Sequence, residues 1–176
     1  MPTIHASWEE ILLWNLLAYV VSFIPHSFVE WLSHRFVLHS KAIVSFAYEE
    51  HDQQHHQQHR GDETFIAPSL LDGPDFRPRD WALFISVVMP IWVGIEFLAG
   101  KPVVIGAFLS VVSWLWMFDV LHRRYHFPRG SWIERTGFFK YLREHHRLHH
   151  VDPTRNMNVC FYPIADFVLR TMKRSD

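Results

Sequence analysis

Cysteine is nearly absent from this chain of 176 residues, in which Cys160 is the only one. A single thiol excludes an intramolecular disulfide and the thiolate cages that hold structural zinc or iron–sulfur clusters. The net charge is also small, at -1 with histidine neutral. Because nucleic-acid-binding proteins carry an excess of positive charge, nucleic acid is not an expected partner. The few glycines form no flavin-binding fingerprint, which excludes a built-in flavin as an electron carrier.

Hydrophobic residues, by contrast, make up 49% of the chain and aromatic residues 16%. Three apolar stretches stand out, at Ile11–Val29, Trp81–Leu98 and Val103–Phe118. Each is close to the roughly 20 residues that cross a hydrocarbon core, although a single such stretch also suits a buried helix of a soluble protein. We therefore predict one all-α integral membrane domain over residues 1–176, with about three transmembrane helices.

Three further segments have predictable structure. Residues 30–60 are predicted to continue the first span as helix. Phe138–His150 is predicted to form a helix that ends before Pro153. The last apolar stretch, Met157–Leu169, is too short to span, so it is expected at the membrane interface or packed beneath a helical cap.

Lysine and arginine are distributed very unevenly along the chain. All but one of the 17 lie in residues 30–80 and 119–176, and the exception, Lys101, lies between the second and third stretches. If all three stretches cross the membrane, those two basic segments lie on the same side. Positive residues are retained in the cytoplasm, so we expect a multi-pass membrane protein with a cytoplasmic cap.

Histidine is concentrated in the same two segments. All but two of the 14 histidines lie in four windows, 34–39, 51–59, 122–126 and 145–150. Neutral imidazole is the commonest metal ligand in proteins and suits iron, zinc, copper and nickel. Because a single ion uses only a few imidazoles, this many on one side of a membrane indicates a two-metal site in the cap.

Spacing within the windows predicts which rings share a space, because residues three or four apart lie on one face of a helix. This applies to His51 with His55, His122 with His126, and His146 with both His149 and His150. His34 and His39 are five residues apart, about 140° around a regular helix. They face the same metal only if the helix ends or bends between them; otherwise they serve different metals.

The ordered pattern H-x-x-x-x-H, H-x-x-x-H-H, H-x-x-x-H, H-x-x-H-H resembles the fatty acid hydroxylase/sterol desaturase superfamily of integral-membrane enzymes. The most specific part is H-H-R-L-H-H-V-D-P-T-R-N-M-N-V-C-F-Y-P-I-A-D-F-V-L at 145–169, which is similar to that family's last histidine box and closing segment. The wider spacing of His51 and His55 is similar to the membrane alkane monooxygenases. The resemblance covers residues 30–170.

The resemblance implies a di-iron oxidoreductase that activates dioxygen at the membrane surface and hydroxylates a C–H bond of a fatty acyl, sterol-like or carotenoid lipid. Asp52 stands where the narrower box of many family members has its histidine, which leaves the role of His51 open. Matched box by box, the implied metal ligands are His34, His39, His51, His55, His56, His122, His126, His146, His149 and His150.

Five other residues are candidates for additional ligation or for orienting the ligand rings. They are His59, His145, Glu30, Asp119 and Asp166. The resemblance implies that catalysis resides in the dimetal centre itself, so no separate acid or base is assigned.

The same resemblance implies the cofactors and partners. Two iron ions are expected as the native metals, with zinc an ion that the imidazoles would also accept. Dioxygen, a lipid substrate within the membrane and a separate ferredoxin- or cytochrome-type electron donor complete the system. The alternatives that stay open are a desaturase of the same family, a histidine-rich membrane metal transporter and a membrane haem protein.

Overall fold

A computed structural model describes residues 7–67, 77–160 and 162–174, and over these residues every regular element is helical. The prediction of an all-α fold is therefore confirmed for the described part of the chain. The α-helices are α1 (Trp8–Val21), α2 (Phe23–Ser33), α3 (Ser45–Tyr48), α4 (His56–Gln58), α5 (Pro78–Ala99), α6 (Val104–His126), α7 (Gly137–Val151) and α8 (Ile164–Val168). Two π-helical segments (His34–Leu38 and Glu49–His55) and two 3-10 turns (Glu63–Phe65 and Ile133–Arg135) complete the set.

Three helical runs are long and apolar enough to cross a membrane: Trp8–Leu38, Pro78–Ala99 and Val104–His126. They contain the three apolar stretches predicted from the sequence, except for Val103 at the start of the third, so the prediction of three membrane-capable helices is confirmed. Large apolar side chains on them are exposed, as in Leu98 at 84% and Trp116 at 60%. Exposed apolar side chains on such helices are typical of a membrane protein.

The chain divides into two compact units, residues 1–26 with 76–116 and residues 27–75 with 117–176. The first unit holds polar contacts between helices. Tyr19 Oη donates to Ser113 Oγ at 3.3 Å, and the ring of the buried His26 lies 3.2 Å from Ser110 Oγ. In an apolar environment such hydrogen bonds fix how two helices pair, because the unpaired groups would find no water.

In the second unit the segment 30–60 is helical, as predicted, but in separate pieces rather than as one helix. The π-helical segment His34–Leu38 ends the first run, and the chain resumes as helix at Ser45. The amide of His39 donates to the carbonyl oxygen of His34 at 3.1 Å, a bond that spans five residues instead of four. This wider turn decides where the two histidine rings point.

The other two predicted segments of this unit are close to what is observed. The helix predicted at 138–150 corresponds to α7, capped at its start by the hydroxyl of Thr136. In the closing segment, Met157 is buried whereas Phe167 is 72% exposed. The start of this segment is therefore buried in the second unit, whereas its end keeps exposed apolar side chains.

The backbone of Gly106 packs directly against the backbone of Asn15, where an added methyl group would lie 1.9 Å from the Asn15 carbonyl oxygen. A helix backbone cannot move aside as a side chain does, so we expect Gly106→Ala to cost about 1–3 kcal/mol. The measurement is the thermal midpoint of the purified protein in detergent. The control is Gly94→Ala in α5, where a methyl group meets nothing within 4 Å. Equal midpoints for the two variants would contradict this packing.

Candidate metal centre

Ten histidine rings of the second unit assemble into two groups of five, and within each group the metal-binding nitrogens all lie within 4.8 Å of one another. The first histidine group consists of His34, His39, His51, His56 and His149. The second histidine group consists of His55, His122, His126, His146 and His150. The structure therefore brings together the same ten residues that the resemblance implied as ligands, and ligation itself stays a prediction.

Histidines that are adjacent in the sequence belong to different groups. His55 belongs to the second group and His56 to the first, while His149 belongs to the first and His150 to the second. Successive residues on a helix point about 100° apart, so adjacent side chains can face different centres. Two pairs of adjacent residues therefore tie the two groups to the same backbone.

The π-helical segments explain why histidines five residues apart share a group. A π-helix carries i to i+5 hydrogen bonds and has a wider turn than an α-helix, so residues five apart lie closer to one face than on a regular helix. The rings of His34 and His39 are stacked, with centroids 5.1 Å apart and planes 13° apart. The same backbone hydrogen bond recurs at His56, whose amide donates to the carbonyl of His51, although these two rings meet edge to face at 66°. The condition that the helix must bend between His34 and His39 is thus met.

The division into groups separates two pairs of rings that regular helical spacing brings together. The rings of His51 and His55 are stacked with centroids 5.2 Å apart, as the spacing predicts, but His51 joins His56 in the first group. The rings of His146 and His149 are stacked with centroids 5.7 Å apart, also as predicted, but only His150 lies in the group of His146. The pairing of His122 with His126, on the regular helix α6, is confirmed.

Distances between ring nitrogens match those of ligands around one ion. Two nitrogens bound at right angles, with bonds of about 2.1 Å, lie about 3.0 Å apart. In the first group the Nε2–Nε2 distances are 2.9 Å for His34–His51, 3.0 Å for His39–His149 and 3.3 Å for His56–His51. In the second group they are 3.1 Å for His126–His146 and 3.0 Å for His150–His146.

The hydrogen bonds made by the Nδ1 atoms show which ring nitrogens carry lone pairs. In the first group, the Nε2 atoms that face each other both carry one. His39 Nδ1 lies 2.7 Å from Asp52 Oδ1, and His149 Nδ1 lies 2.7 Å from the carbonyl oxygen of Arg155. These oxygens only accept, so both Nδ1 atoms carry the hydrogen and both Nε2 atoms carry a lone pair. Two lone pairs 3.0 Å apart repel unless a cation lies between them. The first group therefore fits a metal ion.

The second group has the same property. His126 Nδ1 donates to the Phe65 carbonyl at 2.8 Å, and His150 Nδ1 donates to the His59 carbonyl. Their two Nε2 lone pairs both face Nε2 of His146. One hydrogen on that nitrogen satisfies only one of them in a linear hydrogen bond, whereas a metal ion accepts all three.

The electrostatics of the centre keep its rings in the metal-binding form. Burial lowers the pKa of His149 to about 3, and the neighbouring imidazole of His39 adds to this effect. Neutral imidazole is the form that binds metals, so these shifts favour ligation over protonation. Burial, followed by the charge that neighbouring rings would carry, also holds the pKa well below the ordinary value at His51, His55, His146 and His150.

The two additional histidines proposed from the sequence lie beside the groups but belong to neither. The ring of His59 is 4.2 Å from that of His126, centroid to centroid. His145 instead contacts Asp166, with Nε2 3.1 Å from the carboxylate. The sixth ring nearest the second group is therefore His59.

Asp166 is a fully buried carboxylate that organises the closing segment. It accepts from the amides of Met157 and Asn158 at 3.0 and 2.7 Å. The carbonyl of Met157 in turn accepts from Nδ1 of His34 at 2.6 Å. Asp166 thus supports the ring of His34 through the backbone rather than by direct contact.

The remaining acidic candidates also take part in structural contacts. Glu30 accepts from the amides of Val159 and Cys160, which ties α2 to the closing segment. Asp119 accepts from Arg123 at 2.8 Å, one turn later on α6. The carboxylate that the sequence did not suggest as a support is Asp52, because its contact with His39 depends on the fold.

Comparison of the chain with protein-family models, with curated proteins and with solved structures gives no match in any of the three. The resemblance to the membrane hydroxylase superfamily therefore rests on the histidine pattern and its flanking residues.

The lowered pKa values predict how pH affects the metal-free protein. Unfolded histidine takes up a proton near pH 6.5, whereas the folded rings resist it, so acid favours the unfolded chain. Stability is complete above about pH 6.5, and each such ring removes about 1.4 kcal/mol for every pH unit below that value. We expect the thermal midpoint with chelator to fall between about pH 8 and pH 5. A midpoint of the metal-free protein that stays constant over this range would contradict the arrangement.

Proposed function

We propose that this chain is a membrane-bound, non-haem di-iron oxygenase that uses dioxygen to hydroxylate a C–H bond of a lipid. The observation that carries the proposal is the pair of five-imidazole groups, packed side by side in one unit. Structural zinc sites are almost always closed at four ligands. Each group offers five imidazoles, which would hold an iron ion and leave it room to bind dioxygen. When bound, the iron pair supplies the activation of dioxygen and the oxidation of the C–H bond.

The protein's own residues have to orient the ligands and keep water away from them. Backbone carbonyls of Met157, Arg155 and Phe65 fix the tautomers of three ligand rings. Fixed tautomers present the Nε2 lone pair to the ion and reduce the cost of reorganisation during the reaction. Packing of ring against ring limits the access of water, which protects a reactive centre from side reactions.

The location of the ligands favours a substrate that lies in the bilayer. His34 lies in the candidate span Trp8–Leu38, and His122 and His126 lie in the last turns of the candidate span Val104–His126. A centre built on such helices meets lipid chains more readily than soluble molecules. The distribution of lysine and arginine supports a cytoplasmic position for the histidine-bearing segments.

Electrons for the reaction must come from another protein, because the chain has one cysteine and no flavin fingerprint. We propose a ferredoxin- or cytochrome-type donor. Residues 119–176 carry 11 lysines and arginines against six acidic residues, and this excess of positive charge would favour the docking of an acidic donor.

A haem protein is a weaker alternative on geometric grounds. Two axial nitrogens on opposite sides of one iron, with bonds of about 2 Å, lie about 4 Å apart. Neighbouring ring nitrogens here lie 2.9–3.3 Å apart, closer than a haem iron would hold them. An absent Soret band after growth with haem precursor would dismiss this alternative.

A metal transporter is the other alternative. Transport sites lie near the bilayer midplane, within the spans. Here most ring ligands follow the candidate spans or lie in their last turns, and metal-dependent flux into liposomes would be needed to support transport. Desaturation by the same centre remains the alternative within the enzyme class.

We expect the purified protein to bind about two metal ions per chain, one for each group. The double variant His34→Ala/His149→Ala should lose the ion of the first group, and His122→Ala/His126→Ala that of the second. Metal content by elemental analysis is the measurement, and Gln54→Ala, an exposed neighbour of His55, is the control. A full-length protein that stays metal-free in the presence of iron and zinc would refute the proposed centre.

Lipid mass spectrometry of host cells with and without the gene tests the reaction itself. Hydroxylation adds sixteen mass units to a lipid class, whereas desaturation removes two. We expect the gain of sixteen, and we expect both double variants to abolish it because the reaction needs both ions. An unchanged lipid profile with a metal-loaded protein and a competent electron donor would refute the oxygenase while leaving the metal centre in place.

A further inference from the structure

We propose that Asp52 is a positioning residue for the first metal ion, whose binding it strengthens through the ring of His39. The inference rests on the proposed function only in requiring that the first histidine group holds an ion. It assigns a role to a residue that stands inside the second histidine box without being a ligand itself.

The contact is short and well shielded. Oδ1 of Asp52 lies 2.7 Å from Nδ1 of His39, and the two side chains are 25% and 7% exposed. The second carboxylate oxygen accepts from Nε2 of Gln53 at 2.7 Å. That amide also donates to Tyr48 Oη at 2.8 Å, so both ends of the carboxylate are held.

The ring of His39 lies between the carboxylate of Asp52 and the place where an ion would bind. His39 Nδ1 faces Asp52, and its Nε2 faces Nε2 of His149 at 3.0 Å, where an ion would bind. A carboxylate that accepts from one ring nitrogen increases the electron density at the other. Asp52, His39 and the ion therefore form a carboxylate–histidine–metal arrangement.

Asp52 differs from the hydrogen-bond acceptors of His34 and His149 because it carries a negative charge. The rings of His34 and His149 donate to backbone carbonyls, which are neutral. Imidazole ligands are neutral too, so a divalent ion in the first group keeps its full charge in a poorly solvated place. Asp52 supplies a full negative charge one ring away, and such support is typically worth 10- to 100-fold in metal affinity.

The substitution that isolates this charge is Asp52→Asn, because asparagine keeps the shape and an oxygen that accepts from His39. Binding is measured with Zn²⁺ alone, in competition with a chromophoric chelator, so the result does not depend on activity. The substitution is made in both double variants of the previous section, each of which retains one complete group.

We expect Asp52→Asn to weaken Zn²⁺ binding about 10- to 100-fold in the His122→Ala/His126→Ala background, which keeps the first group. It should leave binding unchanged in the His34→Ala/His149→Ala background, which keeps the second. Asp52→Glu retains the charge and should restore part of the affinity. Glu49→Gln removes an exposed carboxylate from the same π-helical segment and should change nothing.

Unchanged affinity of the first group in Asp52→Asn would overturn the inference and leave the metal centre intact. Equal weakening in both backgrounds would also overturn it, since Asp52 would then support the fold in general. An unsubstituted chain that binds no Zn²⁺ would instead refute the proposed function. Circular dichroism in the helical region checks that each background is folded. If one background fails to fold, the two stepwise Zn²⁺ affinities are measured in the chain that carries Asp52→Asn alone. One of the two should fall, and a fall in both would overturn the inference.

Discussion

The convergence of imidazole lone pairs is the constraint on which the second unit depends. His39 and His149 point Nε2 at each other across 3.0 Å, while their Nδ1 hydrogens are committed to oxygen acceptors. Without cations this arrangement is repulsive, and a cation bound between the nitrogens would make it attractive. The wide helical turns, the carbonyl acceptors and the buried closing segment all orient rings towards two points. Metal binding would therefore stabilise the fold of this unit.

Much of the fold is predictable because its signals are local. Length and composition alone identify the three membrane-capable helices, and helix α7 lies within one residue of its predicted ends at both sides. The ten ring residues are recognisable from the order and spacing of the boxes. These features depend on side-chain type within a few residues, which a sequence displays directly.

The division of the ten rings into two groups was not predictable. It depends on π-helical turns at His34–Leu38 and Glu49–His55, and regular spacing pairs His51 with His55 instead of His56. Such turns arise from the packing around them rather than from local preference. The contact of Asp52 with His39 likewise joins two separate segments, so the sequence of neither segment alone predicts it.

The division of adjacent histidines between the two groups has a consequence for how the centre fills. An ion in the first group immobilises His56 and His149, and each is joined by one peptide bond to a member of the second group. The backbone at these positions has then already lost its conformational entropy, so the second ion meets a smaller entropy cost on binding. Binding of the two ions should therefore be positively cooperative, so that the second ion binds more tightly once the first is in place.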